Sequence, residues 1–470
     1  MSENLPVWVY RIQRKGAIHR IGALMSWKLL LSLSLLISSS FGGSQLNHTD
    51  GGADLCSPDA PVLHGEHPPI SQTCDPEALY HKVWHLIRDD YLDKNFNGQS
   101  WNRWEHRYDG KLKTLADAHK CIETMLASLA DRYTRFLDID AFDDERAQID
   151  AKLFGIGIQI GIDDHKHIII VTPIEGTPAD RAGLMAADEI LEINGTPTRG
   201  LSVEEAAKLI RGAVQTDVSL TILRKGKNKL KVSLKRAEIP IHAVQTAKMI
   251  DGEIGYIRLS TFISQETASE MREAFDKLPK AKAIVLDLRD NPGGLLANAI
   301  EIANMFLDSG NIVSTVDRDG YKSEMRADGK PLCKKPLVVL INKGSASASE
   351  ITSGALHDNN RAKLVGQKSF GKGLVQGINR LEDGSGVNVT IARYLTPSDT
   401  DINAKGIAPD LVVELSEKDV HDGKGPWWLD PSFPKIRRAP EDLKDLQLRR
   451  AVEMARTNFS STMPVAIGQP

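Results

Sequence analysis

Two residues, Ser347 and Lys372, have the types and surroundings of a nucleophile and its base. Ser347 lies in the segment Gly-Ser-Ala-Ser-Ala-Ser-Glu at 344–350, and Lys372 follows 25 positions later between Gly371 and Gly373. A serine hydroxyl attacks a carbonyl carbon when a base takes its proton, and a neutral lysine amine can be that base. Burial in an apolar cleft favours the neutral amine. The pair therefore predicts acyl transfer by a Ser-Lys dyad.

The elements predicted around Ser347 expose it at a turn. The apolar run 336–342 predicts a buried strand, and the residues from Ser347 to Leu356 have a helical pattern. A serine at such a turn meets free backbone N–H groups and the positive end of the helix dipole, so the N–H of Ala348 is a candidate oxyanion donor. Ser347 and Glu350 also match a capping box, which needs no chemistry. The residues alone leave both interpretations open.

A second strand–turn–helix unit supplies a second candidate donor. The run 281–289 predicts a buried strand, Asp-Asn-Pro-Gly-Gly follows at 290–294, and a helical stretch begins at Leu295. Turns of this kind leave N–H groups unpaired, so either Gly293 or Gly294 is a candidate for the second hydrogen bond to an oxyanion. An ordinary turn is the alternative.

Together these segments resemble the carboxyl-terminal processing peptidases, also called tail-specific proteases, a serine peptidase family with a Ser-Lys dyad. The resemblance implies Ser347 as nucleophile, Lys372 as general base and Gln376 as the residue that supports the lysine amine. A side-chain amide can hold the amine while leaving it uncharged. The other segments that carry the resemblance are Tyr-Thr-Arg-Phe-Leu at 133–137, Ile-Gly-Tyr-Ile-Arg-Leu at 254–259 and Gly-Ile-Ala-Pro-Asp at 406–410.

The region 151–238 resembles a PDZ domain. It contains Gly-Ile-Gly-Ile at 155–158, a predicted strand at 168–171 and an amphipathic helix near 203–211. Ala187 stands where such domains usually carry glycine. The resemblance implies that a peptide adds as a strand beside this segment. Its terminal carboxylate would be bound by three backbone N–H groups, those of Ile156, Gly157 and Ile158.

A tail-binding domain joined to a serine peptidase predicts an endopeptidase that recognises the C-terminal tail of protein substrates and cleaves near it through an acyl-enzyme. The expected partners are proteins or peptides with free apolar C-termini, membrane-associated ones included. No cofactor, metal or nucleic acid is expected. Thr-Pro-Ser-Asp-Thr-Asp-Ile-Asn at 396–403 resembles the cyanobacterial and plastid members of the family.

Two alternative functions remain. The chain could be a catalytically inactive PDZ scaffold, or a crotonase-like acyl enzyme that uses a similar pair of N–H donors. The chain has Ser347, Lys372 and Gln376 together, and this argues against the inactive PDZ scaffold. A crotonase-like enzyme would need no domain that binds tails, and the sequence contains no recognisable nucleotide-binding motif.

Composition predicts a multi-domain α/β enzyme. The chain has 470 residues, 41% hydrophobic and 26% charged, with a net charge of −3. Basic and acidic residues are interspersed, which argues against binding a phosphate backbone. The predicted domains are a signal peptide or anchor (1–44), a linker (45–74), a helical domain (75–150), a β-rich PDZ domain with two helices (151–238), a peptidase core of strand–turn–helix units (239–417) and a C-terminal extension with one helix (418–470).

The N-terminal region predicts export. Residues 29–37 form an apolar run of nine positions that is too short to span a bilayer but fits the core of a signal peptide, with Met25 as a second possible start. The expected compartment is the periplasm or the thylakoid lumen, with an uncleaved membrane anchor as the alternative. Cys56 and Cys74 flank a Pro-rich linker and could pair in an oxidising compartment.

Overall fold

The structure is a computed structural model that describes residues 74–462, except 151, 164, 175, 186, 225–228, 241, 427, 429–439 and 441–442. Before residue 74 it describes the backbone of three short strands, β1 (Tyr10–Arg14), β2 (Ala17–Ile21) and β3 (Leu35–Ile37). Most of the predicted export signal and nearly all of the linker lie outside the described residues. Within the described residues, every helix is too short or too polar to cross a membrane.

The described chain forms two compact units. We call residues 145–374 and 393–462 the large unit, and residues 74–144 with 375–392 the helical unit. Residues 375–392 thus share a unit with the helices near the N-terminal end of the described chain. Each unit has its own hydrophobic core.

The helical unit is built on two capped helices. The carboxylate of Asp75 accepts hydrogen bonds from the first turn of one helix, and Thr114 and Asp117 form a reciprocal capping box at the start of the other. Trp84 and Ile122 are buried in the core that these helices share. The elements are α1 (Pro76–Asp90), a 3-10 helix (Trp101–Trp104), α2 (Leu115–Ala127), β4 (Arg135–Leu137), α3 (Ile139–Ile149), β20 (Leu374–Arg380) and β21 (Gly386–Leu395), of which the last three continue into the large unit.

The first part of the large unit is an antiparallel sheet with two helices, as predicted for residues 151–238. Val218, Leu220 and Ile222 are buried and alternate with more exposed residues, because one face of the strand packs on the core. The strand order is β11-β10-β8-β7-β6, with β9 beside β8 and with β5 and β12 as a separate pair. The bounds are β5 (Lys152–Gly155), β6 (Ile158–Ile162), β7 (Ile168–Pro173), α4 (Pro178–Arg181), β8 (Glu189–Ile193), β9 (Thr196–Pro197), α5 (Val203–Ile210), β10 (Asp217–Leu223), β11 (Lys229–Lys235) and β12 (Ala237–Pro240).

The second part of the large unit contains a mostly parallel sheet of order β13-β14-β15-β18-β19-β22, in which only β13 is antiparallel to its neighbour. Every residue of two central strands is buried, as expected for strands covered on both faces. The bounds are β13 (Val244–Ile250), β14 (Ile254–Leu259), α6 (Thr267–Asp276), β15 (Ala283–Asp287), α7 (Leu296–Asn304), β16 (Asn311–Asp317), β17 (Lys322–Arg326), β18 (Leu337–Ile341), α8 (Ala348–Asp358), β19 (Ala362–Gly366), β22 (Leu411–Val412) and α9 (Glu417–His421).

The last helix, α10 (Leu446–Thr462), belongs to the core of this sheet. Its residues Leu448 and Val452 are buried against Val338 and Leu340 of β18. The prediction of one helix in 418–470 is wrong, because the described part of this range contains both α9 and α10. The amphipathic pattern near 441–456 predicts a helix that starts earlier than the observed one. The helix begins five residues later because Asp445 accepts hydrogen bonds from the backbone N–H groups of the first turn.

Candidate active site

The strand order brings three loops of the large unit to one edge of the parallel sheet. Strands β15, β18 and β19 are consecutive neighbours, with Asp287 opposite Leu340 and Ile341 opposite Gly366. The carboxyl ends of parallel strands lie at the same edge, where such sheets commonly bind ligands. The loop after β15 carries Asp-Asn-Pro-Gly-Gly at 290–294, which we call the Gly293 turn. The loop after β18 carries residues 344–350, which we call the Ser347 turn, and the loop after β19 carries residues 367–373, which we call the Lys372 segment. Distant segments of the sequence therefore meet at one place.

Ser347 occupies a strained turn and its hydroxyl is uncommitted. Its φ is 58° and its ψ is −118°, a conformation that side-chain-bearing residues rarely adopt. The residue is fully buried, and within the described structure its Oγ has no hydrogen-bond partner. The N–H of Glu350 donates to the carbonyl oxygen of Ser347, at 2.7 Å, and not to the hydroxyl. The capping-box alternative thus leaves the hydroxyl free for chemistry.

Glu350 connects the Ser347 turn to the Lys372 segment. Its buried carboxylate accepts the backbone N–H of Ser347 at 2.9 Å and that of Lys372 at 2.9 Å. It also accepts from the hydroxyl of Ser369 at 2.5 Å and the N–H of Gly371 at 2.7 Å. Burial raises the pKa of Glu350, and these four hydrogen bonds oppose that shift. One carboxylate therefore fixes the backbones of both predicted catalytic residues.

Tyr394 makes a second connection between the same two residues. Its hydroxyl hydrogen-bonds to the carbonyl oxygen of Lys372 and lies 3.2 Å from that of Ser347. The sequence analysis did not identify Tyr394, because nothing in its local pattern distinguishes it from other residues of β21. Glu350 was visible in the sequence only as a member of the capping motif. Both contacts depend on the tertiary fold.

Lys372 is almost fully buried, with 3% of its surface exposed. Its amine is not hydrogen-bonded to the Ser347 hydroxyl in this structure, since that hydroxyl has no partner in the described residues. The structure thus aligns the two backbones without forming the direct contact between Oγ and Nζ. Catalytic hydrogen bonds are often long in free enzymes and tighten when substrate binds.

The Gly293 turn packs directly on the Ser347 turn. A Cβ added to Gly293 would lie 2.7 Å from the carbonyl oxygen of Ala346 and 2.8 Å from the backbone nitrogen of Ala348. The carbonyl oxygen of Asn291 accepts from the N–H of Ala346 at 3.0 Å and from the hydroxyl of Ser349 at 2.8 Å. Only glycine permits this approach at φ 98°. The two predicted turns therefore form one rigid arrangement.

The two candidate glycine donors differ in their hydrogen bonding. The N–H of Gly293 already donates to the side-chain oxygen of Asn291 at 2.9 Å. The N–H groups of Gly294 and Ala348 have no acceptor within the part of the chain that the structure describes. Unpaired donors beside a nucleophile are the groups that an oxyanion needs. The free N–H favours Gly294 as the donor, whereas Gly293 is the glycine that lies directly against the Ser347 turn.

Gln376 belongs to the helical unit and is fully buried. Its amide nitrogen lies 3.4 Å from the hydroxyl oxygen of Thr390, which in turn donates to Asp131 at 2.7 Å. Because that hydroxyl gives its proton to the carboxylate, it can only accept from the amide nitrogen. The amide oxygen has no partner in the described residues, which leaves it available as an acceptor.

The predicted carboxylate-binding loop of the PDZ-like region has the backbone that glycine requires. Gly157, between Ile156 and Ile158, has a φ of 79°, and a Cβ there would lie 2.3 Å from the Cβ of Thr177. Helix α5 lies against β6, next to this loop. Ala187 has a φ of 63°, a left-handed conformation that glycine adopts without strain.

Other reactive side chains lie outside this arrangement. His81, His106 and Asp109 approach one another in the helical unit, with the ring nitrogen of His106 2.9 Å and that of His81 3.4 Å from Asp109 oxygens. Both rings contact the same carboxylate, and exposed groups of this kind are common without a metal ion. Cys74, Cys121 and Cys333 are free thiols, and Cys56 lies outside the described residues.

Two family models match parts of this chain. Residues 253–413 match the family model of peptidase family S41, and residues 146–223 match that of the PDZ domain. The first match contains both turns and the Lys372 segment. The second contains the loop at Gly157 and helix α5.

Similar proteins match most of the chain. The carboxyl-terminal-processing protease of Synechocystis sp. is 41% identical over 75% of this chain and 84% of its own length. The chloroplastic C-terminal processing peptidase of Tetradesmus obliquus is 35% identical over 74% of this chain and 79% of its own. The solved photosystem II D1 C-terminal processing protease has 34% identity and a TM-score of 0.52, covering 73% of this chain and 94% of that one. The chain therefore belongs to the carboxyl-terminal-processing serine proteases of peptidase family S41.

Proposed function

We propose that this C-terminal processing peptidase cleaves protein substrates near their tails by an acyl-enzyme mechanism, with Ser347 as nucleophile and Lys372 as general base. The observation that carries the proposal is the free, buried hydroxyl of Ser347 in a strained turn whose backbone is connected to Lys372 through Glu350. A structural serine at a helix start would use its hydroxyl as a cap.

The reaction proceeds in two halves. The neutral amine of Lys372 takes the proton from Ser347 as Oγ bonds to the carbonyl carbon, and the carbonyl oxygen becomes an oxyanion. The N–H groups of Ala348 and Gly294 stabilise that charge. The resulting ammonium gives its proton to the leaving amine as the peptide bond breaks. Water then attacks the acyl-enzyme with Lys372 again as base, which releases the new C-terminus and restores Ser347.

Substrate binding completes this arrangement. The hydroxyl of Ser347 and the amine of Lys372 are not hydrogen-bonded in the free protein, so their contact forms when a conformational equilibrium shifts towards the aligned state. As the family resemblance implies, Gln376 supports the amine in that state. Its amide oxygen is a buried acceptor without a partner in the described residues.

Tail recognition is assigned to the PDZ domain. The backbone N–H groups of Ile156, Gly157 and Ile158 bind the terminal carboxylate, and apolar side chains of the tail occupy the groove between β6 and α5. Expected substrates are proteins with free apolar C-termini, including membrane-associated ones. The apolar N-terminal run and the chloroplastic relatives support an exported protein of the periplasm or thylakoid lumen. The D1 precursor of photosystem II, on which one similar protease acts, is a candidate substrate.

The proposal is tested with an unstructured polypeptide that ends in apolar residues, prepared with a free and with an amidated C-terminus. Mass spectrometry should detect one new C-terminus close to the end of the free form. Amidation removes the carboxylate charge and should lower kcat/KM at least about 10-fold, because each hydrogen bond to a charged acceptor is worth about 1.5–3 kcal/mol. Equal cleavage of both forms would contradict tail recognition. An inactive scaffold would cleave neither form, and a crotonase-like enzyme would act on an acyl thioester instead.

Replacing Gly157 by alanine should weaken tail binding. The new Cβ would meet Thr177 at 2.3 Å, and φ is 79°, so the loop must move. We expect the Kd for an apolar C-terminal peptide to rise about 10-fold, because strain and steric overlap of this kind cost about 1–3 kcal/mol. Isothermal titration calorimetry measures the effect. Gly195→Ala is the matched control: its φ is 82° but no atom lies within 4 Å of the added Cβ. If the Gly157→Ala variant bound the peptide with unchanged affinity, the loop would not be part of the binding site.

A further inference from the structure

The residues that lead into the Gly293 turn are held by the C-terminal part of the chain. Arg289 is fully buried and pairs with Asp287 at 2.6 Å. The same guanidinium extends to the start of α10, where it pairs with Asp445 at 2.8 Å and donates to the side-chain oxygen of Gln447 at 3.0 Å. A guanidinium with this many partners holds its own backbone in place. The C-terminal extension predicted from the sequence thus reaches the active-site edge of the sheet.

The next residue, Asp290, makes three connections at once. Its N–H donates to the side-chain oxygen of Asn342 at 2.8 Å, and its Oδ1 accepts from the amide of Asn342 at 2.9 Å. This reciprocal pair joins the Gly293 turn to the Ser347 turn. The remaining oxygen, Oδ2, accepts the indole N–H of Trp428 at 3.0 Å. The φ of Asp290 is 55°, so its backbone depends on these contacts to stay in place.

The indole ring of Trp428 is itself fixed by two cations. The guanidinium of Arg258 lies 3.6 Å from the ring centroid and that of Arg289 lies 5.2 Å from it. Stacked guanidinium groups attract an aromatic face and restrict its orientation. The indole N–H therefore points at Asp290 from a fixed ring.

We propose that Trp428 is a positioning residue for the oxyanion site, acting through Asp290 and its pair with Asn342. The inference rests on the proposed function, in which Gly294 and Ala348 donate from two different turns. The space between such donors depends on the relative position of the turns, and a displacement well below 1 Å weakens both hydrogen bonds to an oxyanion. Trp428 touches no reacting atom. It fixes the Asp290–Asn342 pair, and that pair sets the distance between the turns together with the contacts of Asn291.

The test uses Trp428→Phe in the full chain, which keeps an aromatic ring beside Arg258 and removes the N–H donor. We expect kcat to fall about 10-fold with KM within about 2-fold of the wild type, because the lost interaction serves the transition state. A peptide aldehyde forms a hemiacetal with Ser347 whose oxygen lies in the oxyanion site, so its inhibition constant should rise by a similar factor. The affinity of an apolar C-terminal peptide for the PDZ domain should not change.

A matched control and a second variant separate positioning from packing. Trp104→Phe removes an indole N–H that donates to Gln99 at 3.1 Å in the helical unit, and it should leave kcat unchanged. Asp290→Asn should lower kcat like Trp428→Phe, and the double variant should be no worse than Asp290→Asn alone. The inference would be overturned, and the proposed function would stand, if Trp428→Phe kept the wild-type kcat and the wild-type inhibition constant for the aldehyde. Additive losses in the double variant would have the same meaning. A wild-type protein without peptidase activity would overturn the proposed function and this inference together.

Discussion

Replacement of Ser347 by alanine is expected to lower kcat/KM for polypeptide cleavage by at least about 10⁴-fold, since removing a nucleophile leaves only binding and oxyanion stabilisation. Lys372→Arg should cost a similar factor although it keeps a long side chain that ends in nitrogen. A guanidinium remains protonated in proteins and cannot take the serine proton. The Ser347→Ala, Lys372→Arg double variant should be about as inactive as either single variant, because a nucleophile and its base act as one unit.

Two matched controls come from the same elements. Ser353→Ala removes a buried hydroxyl from α8 that donates to the carbonyl oxygens of Ser349 and Glu350. Lys368→Arg changes an exposed lysine four residues before Lys372. Both should retain wild-type kcat/KM. Rates are measured by mass spectrometry of the new C-terminus at matched folded concentration. More than about 1% of the wild-type activity in Lys372→Arg would refute the assignment of the base, because an enzyme without a working dyad should keep far less activity.

The sequence predicted the active-site loops because each follows a strand with a strong apolar pattern. The runs 281–289 and 336–342 became β15 and β18, and their glycine and serine turns lie side by side because the strands are parallel neighbours. Parallel strands covered on both faces are recognisable as continuous apolar segments. The type and position of these elements were therefore predictable, and the bounds shifted by one or two residues.

Long-range contacts were not predictable in the same way. Tyr394, Trp428 and Asp445 reach the site from segments whose local patterns indicate only a strand, a loop and a helix start. Their contacts arise from the strand order, which a single sequence does not specify. The preference for Gly294 over Gly293 likewise depends on a side-chain hydrogen bond from Asn291, seen only in three dimensions.

Glu350→Gln is expected to lower kcat about 100-fold and to reduce the free energy of unfolding by about 2–4 kcal/mol. The carboxylate of Glu350 accepts four hydrogen bonds, including the backbone N–H groups of Ser347 and Lys372. Glutamine has the same shape, but its amide NH₂ replaces one acceptor oxygen and faces donors instead. A buried donor left without an acceptor costs about 1–3 kcal/mol, and more when a charged acceptor is lost. Both catalytic backbones lose their common anchor.

Activity and stability have to be measured separately for this variant. Denaturant unfolding gives the stability, and kcat is measured in conditions where the variant is more than 95% folded by that curve, a margin of about 2 kcal/mol. Glu301→Gln is the control, because Glu301 pairs with Arg272 in an exposed salt bridge and should change either quantity little. Tyr394→Phe, which removes the hydroxyl bonded to Lys372, should lower kcat about 10-fold by an independent route. If Glu350→Gln destabilises the protein and yet keeps the wild-type kcat, Glu350 stabilises the fold without aligning Ser347 and Lys372.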